Sequence, residues 1–190
     1  DYEIGRLISY LKETGQYDNT VFIFLSDNGP EPSDPYDVTS AKLWLDWQYD
    51  RSIDRLGAKG AYSIIGPSWA SAAASPLSTY KFYAGEGGLR VPLIIAGVPN
   101  VPSAQLFHSF AHVTDIAPTL LELAGVKPPT GEFKGKSVEP MIGNSLMPVI
   151  QGRDIFTHSP DQPIGYELSG NAAVFKGVFK LVKNIPPVGD

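Results

Sequence analysis

Asp27 and Asn28 are adjacent oxygen donors that follow directly on the apolar run Thr20-Val21-Phe22-Ile23-Phe24-Leu25 and precede a Gly29-Pro30 turn. A carboxylate beside a carboxamide makes a pair of hard ligands of the kind Ca²⁺ or Mg²⁺ takes. The same dipeptide also makes Asx-turns and helix caps, and composition alone favours that use. Position argues for chemistry, because open α/β sheets bind their ligands outside the carboxyl ends of their strands. His108, His112 and His158 stand in segments without acid–base or ligand spacing and read as core, turn or surface histidines. Taken singly, Lys81 reads as a solvated loop lysine.

The elements that must position these residues follow from periodicity. Ile4, Leu7, Ile8 and Leu11 recur at helical spacing, which predicts an amphipathic helix to about Glu13 that closes at Gly15. Thr20 to Leu25 is apolar on both faces, as in a buried central strand of a parallel sheet. Residues 31–75 form a long excursion above the sheet, with a helix expected within 41–56 through Leu43, Leu45, Trp47, Ile53 and Leu56. An excursion of that length is uncommon unless it serves a function. Trp44, Trp47, Tyr49 and Trp69 are expected as core or wall, with an aryl-pocket lining as the lesser alternative.

Val91 to Gly97 reads as a second buried strand, with Pro92 near its start, and a third is expected near Gln105 to Phe110. Thr114 is the expected N-cap of a helix in which Ile116, Leu120, Leu121 and Leu123 pack one face and Gly125 ends the turn. Residues 126–144 read as a surface crossing. A short helix near 145–150 and strands over 164–168, 172–176 and 178–183 then predict a small antiparallel sheet, the last two strands joined at Gly177.

With 43% apolar residues in 190, the chain has material for a sizeable core, so disorder is excluded for its bulk. A net charge of −5 without a basic stripe argues against a nucleic-acid partner. Cysteine is absent, which removes disulfides, thiolate metal sites and a cysteine nucleophile, and leaves periplasm and cytoplasm both open. The longest apolar stretch, Val91 to Val98, is too short to cross a bilayer, so no membrane partner is expected. The opening Asp1-Tyr2-Glu3 runs directly into a helical pattern and reads as a piece of a longer polypeptide.

Four segments in order resemble the sulfatases of the alkaline-phosphatase-like superfamily. Asp18-Asn19-Thr20-Val21-Phe22-Ile23-Phe24-Leu25-Ser26-Asp27-Asn28-Gly29 looks like their strand and metal-ligand segment. Tyr80-Lys81-Phe82-Tyr83-Ala84-Gly85-Glu86-Gly87-Gly88-Leu89-Arg90 is similar to their lysine-bearing Glu-Gly-Gly segment. His112-Val113-Thr114-Asp115-Ile116-Ala117-Pro118-Thr119-Leu120-Leu121-Glu122-Leu123-Ala124-Gly125 continues the match, and Tyr166-Glu167-Leu168 with Val174-Phe175-Lys176-Gly177-Val178-Phe179-Lys180-Leu181 carries it into the C-terminal sheet. The Trp-rich excursion with Gly60-Ala61-Tyr62-Ser63 resembles the bacterial arylsulfatase branch.

The resemblance implies an α/β fold: part of an alkaline-phosphatase-like sheet-and-helix core over residues 1–143, then a small C-terminal subdomain with an antiparallel sheet over 144–190. It implies that Asp27 and Asn28 are Ca²⁺ ligands and that Lys81 contacts the substrate sulfate in binding and catalysis. A cation and an ammonium suit that task, since a sulfate ester carries anionic oxygens and develops charge on its leaving group. Glu86 and Arg90 are expected to shape the loop or pair structurally, and Gly87 and Gly88 to allow close backbone approach or a positive φ.

The family's nucleophile, a formylglycine, comes from the Cys or Ser of a Cys/Ser-x-Pro-x-Arg motif; the nearest spelling, Ser33-Asp34-Pro35-Tyr36-Asp37, ends in Asp. The expectation is therefore the C-terminal portion of a calcium-dependent arylsulfatase. Its partners are a sulfate ester and the N-terminal part of the same protein, which supplies the formylglycine and the remaining metal ligands; these residues alone should be inactive. The alternatives are a phosphonate monoester or phosphodiester hydrolase of the same superfamily and a non-catalytic binding or assembly module.

Overall fold

The computed structural model describes residues 1–101 and 104–186. In chain order its elements are α1 (Tyr2–Glu13), β1 (Phe22–Leu25), α2 (Thr39–Gln48), α3 (Gly66–Ala74), the single turn α4 (Glu86–Leu89), β2 (Leu93–Ala96), α5 (Ile116–Leu123), β3 (Glu132–Phe133), β4 (Lys136–Ser137), α6 (Met147–Ile150), β5 (Ile164–Leu168), β6 (Asn171–Lys176) and β7 (Phe179–Lys183). β1 pairs with β2, β3 with β4, and β5, β6 and β7 form a three-stranded sheet. In its antiparallel β5–β6 pair, Ile164 faces Phe175 and Leu168 faces Asn171.

The chain divides into two compact units. The first comprises residues 1–23, 94–163 and 176–179. Within it, α1 ends as its sequence requires: Gly15 takes a φ of 69°, its N–H reaches the Lys12 carbonyl at 3.2 Å, and the Gln16 N–H reaches that of Leu11 at 2.8 Å. That pair of bonds is the Schellman motif. The core is made by Leu146, Met147 and Ile150, against which Ile95, Val98, Val101 and Leu123 pack.

The helix after residue 112 begins differently from its sequence expectation. The cap is His112, whose Nδ1 lies 3.4 Å from the Thr114 N–H, and a 3₁₀ turn over Val113–Asp115 leads into α5. Asp115 accepts the His112 N–H at 2.7 Å, which completes a capping box in which Thr114 lies inside the turn and is not its cap. The expected packing stripe is also reduced: Pro118 and Thr119 are the buried residues of α5, and Leu120 is exposed. Residues 105–110 form no strand. There the side chain of Ser109 bonds Thr157, accepting its N–H at 2.8 Å, so this stretch is held by a side chain instead of a ladder.

The second unit comprises residues 24–93, 164–175 and 180–186. The helix expected across 41–56 stops at Gln48, because Tyr49 turns extended and Asp50 exchanges backbone bonds with Gly60 and Tyr62 at 3.0 and 3.2 Å. A second helix, α3, occupies the end of the excursion, and the indoles of Trp44, Trp47 and Trp69 are exposed instead of forming a core. β1 and β2 are shorter than expected and are not buried on both faces, since Phe24 is 54% and Ile94 58% exposed. Their two-sided apolar pattern meets no covering layer among the described residues.

Candidate functional site

β1 runs out into Ser26-Asp27-Asn28-Gly29, and two hydrogen bonds shape that turn. Ser26 Oγ donates to the Asn28 carbonyl at 2.8 Å, and Asn28 Nδ2 donates to the Gly29 carbonyl at 3.1 Å. The second bond engages the Nδ2 side of the amide, leaving Oδ1 as an acceptor without a donor among the described residues. Asp27 is exposed and takes no hydrogen bond from the described residues.

A second segment locks onto this turn through backbone bonds. The Gly29 N–H reaches the Gly88 carbonyl at 3.0 Å, and the Lys81 N–H reaches that of Pro30 at 3.1 Å. Approach this close excludes side chains: a Cβ on Gly29 would collide with the Gly87 carbonyl, and one on Gly87 with the carbonyls of Thr79 and Ser78. Close approach, with no positive φ, is thus what the Glu-Gly-Gly segment needs from Gly87 and Gly88. The strain falls on either side of the lysine, where Thr79 and Phe82 take φ of 64° and 81°. Such conformations cost on the order of 1–3 kcal/mol each in non-glycine residues and persist where surroundings over-determine them.

Lys81 extends to Glu31, with Nζ 2.6 Å from Oε2 and side chains 32% and 45% exposed. Glu31 Oε1 accepts the Ser33 N–H at 3.0 Å. The hydrogen bond from Lys81, aided by Ser33, pulls the Glu31 carboxyl down to about 2. The same bond raises the Lys81 pKa, and the field of Asp27 adds to it. Behind the loop, Glu86 binds Lys180 of β7 at 2.6 Å and lies 4.0 Å from Arg90, while Asn184 Oδ1 accepts the Ala84 N–H at 2.9 Å. Glu86 and Arg90 are thus structural partners, as their segment suggested. Glu31 carried no motif; the flanking Pro30 and Pro32 were the signal of a restricted backbone at that position.

The histidines lie elsewhere. His158, with a side chain 7% exposed, places Nε2 2.8 and 3.0 Å from the two oxygens of Asp115. Asn144 Nδ2 donates to the Thr157 carbonyl at 3.0 Å and faces His158 Nδ1 at 3.2 Å, which assigns Nδ1 as acceptor and Nε2 as donor. His112 caps its turn and His108 is exposed. Ser33-Asp34-Pro35-Tyr36-Asp37 is a capped 3₁₀ turn in which Asp34 Oδ1 accepts the Tyr36 N–H at 2.9 Å.

Asp27 and the Asn28 amide oxygen have the chemistry of calcium ligands and no competing donors among the described residues, so they fit a metal as two of the six to eight oxygens it takes. Among the described residues, no group of three or more His, Cys, Asp or Glu side chains could hold a metal ion. No residue here fits a formylglycine precursor, because the Arg of that motif is missing.

Comparison with known proteins accords with this geometry. The chain is 37% identical over 185 residues to an uncharacterized sulfatase of Schizosaccharomyces pombe, covering 96% of this chain and 33% of that protein. It is 38% identical over 148 residues to an arylsulfatase of Klebsiella aerogenes, covering 77% of this chain and 31% of that one. Thus it spans about a third of the length of these curated relatives. The solved structure of Ps i-CgsB in complex with k-i-k-neocarrahexaose superposes with a TM-score of 0.60 at 26% identity, over 95% of this chain and 31% of that one. The phosphonate monoester hydrolase SpPMH from Silicibacter pomeroyi shares the fold, with a TM-score of 0.52 at 20% identity over 95% of this chain and 29% of that one. These neighbours make the fold alkaline-phosphatase-like α/β with a small C-terminal antiparallel sheet. The sulfatase family model matches residues 1–126, and with relatives of this identity over most of its length the chain belongs to the sulfatase family.

Proposed function

We propose that this chain contributes part of the active centre of a calcium-dependent, arylsulfatase-type sulfuric ester hydrolase. Asp27 and Asn28 are its share of the metal ligands, and Lys81 is its contact to the sulfate. The observation that carries this reading is the backbone interlock of residues 29–30 with 81–88, which holds two unspent oxygen donors and one ammonium in the same unit. The relation to the Klebsiella aerogenes arylsulfatase supports the substrate class.

In this reading, Asp27 and the Asn28 Oδ1 hold Ca²⁺, which supplies positive charge to sulfate oxygens when bound. Lys81 keeps its proton and donates N–H groups to an ester oxygen, stabilising charge that grows during cleavage. Ser26 fixes the turn that presents the ligands, and Gly29 and Gly87 let the lysine segment approach. The formylglycine belongs to a segment outside residues 1–190, and these residues by themselves turn over nothing.

The test is Lys81→Ala in the intact protein with an aryl sulfate. Turnover should fall by about 10²-fold or more with the circular dichroism spectrum unchanged; full turnover would refute the role of Lys81. Asp27→Asn should weaken Ca²⁺ binding measured by calorimetry, and unchanged affinity would remove Asp27 from the ligand set.

A further inference from the structure

The charges around Lys81 bear on which esters the site accepts. Two carboxylates act on its ammonium: Glu31 at 2.6 Å, and Asp27 through its field. Glu31 is fixed in place. Pro30 and Pro32 restrict its backbone, the Pro30 carbonyl accepts the N–H of Lys81 itself, and the Ser33 N–H holds Oε1 at 3.0 Å. With its carboxyl drawn down to about 2, Glu31 is an anion throughout the neutral range. Two other cations of the same unit, Lys180 and Arg90, are directed at Glu86, and a Ca²⁺ on Asp27 would leave Glu31 as the carboxylate that acts on Lys81.

We infer that Glu31 is a specificity-determining residue that sets the Lys81 site to accept esters with a single negative charge and to disfavour dianions. The inference rests on the reading of Lys81 as an anion contact. An ammonium has three N–H donors; one is spent on Glu31, and two remain for an ester oxygen. Sulfate monoesters, phosphodiesters and phosphonate monoesters each bring one negative charge. A phosphate monoester brings nearly two above pH ~6, and its second charge meets the Glu31 carboxylate, which Lys81 and the Ser33 N–H hold beside the site. At a separation of roughly 6 Å, one additional charge costs between roughly 3-fold and roughly 100-fold in affinity as the effective dielectric runs from water-like to protein-like.

The test measures equilibrium binding of two non-hydrolysable, near-isosteric probes to the intact protein at pH 9: benzylsulfonate, a monoanion, and benzylphosphonate, a dianion. The wild type should prefer the sulfonate, and Glu31→Gln should shift the affinity ratio toward the phosphonate by about ten-fold, within the Coulomb range above. Glu31→Ala should shift it in the same direction, because charge carries the effect and shape does not. A merely structural Glu31 would change both affinities together, and an unchanged ratio in the two variants overturns the inference. Lys81→Ala separates the layers. If it weakens both probes while the Glu31 variants leave the ratio alone, only the Glu31 inference falls. If it changes neither affinity, or if the wild type binds neither probe, the Lys81 reading falls and takes the Glu31 inference with it.

Discussion

Asp115 lies fully buried, with its carboxylate bonded to the N–H groups of His112 and Asn144 at 2.7 and 2.9 Å and to His158 Nε2 at 2.8 Å. Asp27 stands exposed at the end of a strand, without a hydrogen bond from the described residues. One residue type therefore serves two ends. Where both oxygens are engaged inside the protein, the carboxylate holds the fold, and its neighbouring histidine is structural despite its titratable ring. Where none is spent and the backbone around it is locked, the carboxylate remains available to a ligand. Burial raises the cost of disturbing the first, whereas solvent makes removal of the second nearly free for folding.

Substitutions test that contrast. The largest loss of stability is expected from Asp115→Ala, which leaves two backbone N–H groups and the His158 Nε2–H without their acceptor; at about 1–3 kcal/mol for each unsatisfied buried donor it should cost about 3–5 kcal/mol in chemical denaturation, and a loss under about 1 kcal/mol would refute the hub role. Gly87→Ala should come next, at roughly 1–3 kcal/mol, because its Cβ meets backbone carbonyls of Thr79 and Ser78 that have little room to yield. Its signature would be a loss of Ca²⁺ affinity exceeding that of a melting-matched variant in α1. Asn171→Ala should cost about 1–2 kcal/mol, since its buried Oδ1 accepts the Ile185 N–H at 2.9 Å. Asp27→Ala should leave the thermal midpoint within about a degree of wild type; a large drop would mean that Asp27 is structural after all.

The smallest effect belongs to pH. Glu31 has its pKa lowered from 4.5 to about 2, so its contribution to stability is complete above the unfolded value of 4.5 and is lost as pH falls from there toward about 2. The pair is half-exposed and screened by salt, so the loss should be slight. An NMR titration placing the Glu31 midpoint near 4.5 would show that the Lys81 contact does not persist in solution.

Much of the local structure was legible. The period of Ile4, Leu7, Ile8 and Leu11 and the glycine at position 15 specify α1 and its end, since both signals act within a few residues. The C-terminal sheet was equally readable from alternation and turn residues, and its strands lie within two residues of expectation. The end of α2 was less so. Gln48 ends it because Asp50 pairs with residues 60 and 62, a contact that no window around Gln48 contains. The expected cap at Thr114 was displaced for a related reason: Thr114 lies inside the 3₁₀ turn that His112 caps ahead of α5, and Asp115, which closes that turn, is claimed by Asn144 and His158, far along the chain.

Residue types and order alone determined the family, the two oxygen donors at the strand end and the lysine before the Glu-Gly-Gly segment, because these are patterns of short range. Only the tertiary structure decided how they are used. It brought Lys81 to Glu31 across fifty residues, consigned His158 to a buried network with Asp115, and assigned Gly87 to a close approach of backbones. Such pairings follow from which distant segments pack together, and that is set by the summed burial and hydrogen bonding of the whole unit, which short windows of sequence do not contain.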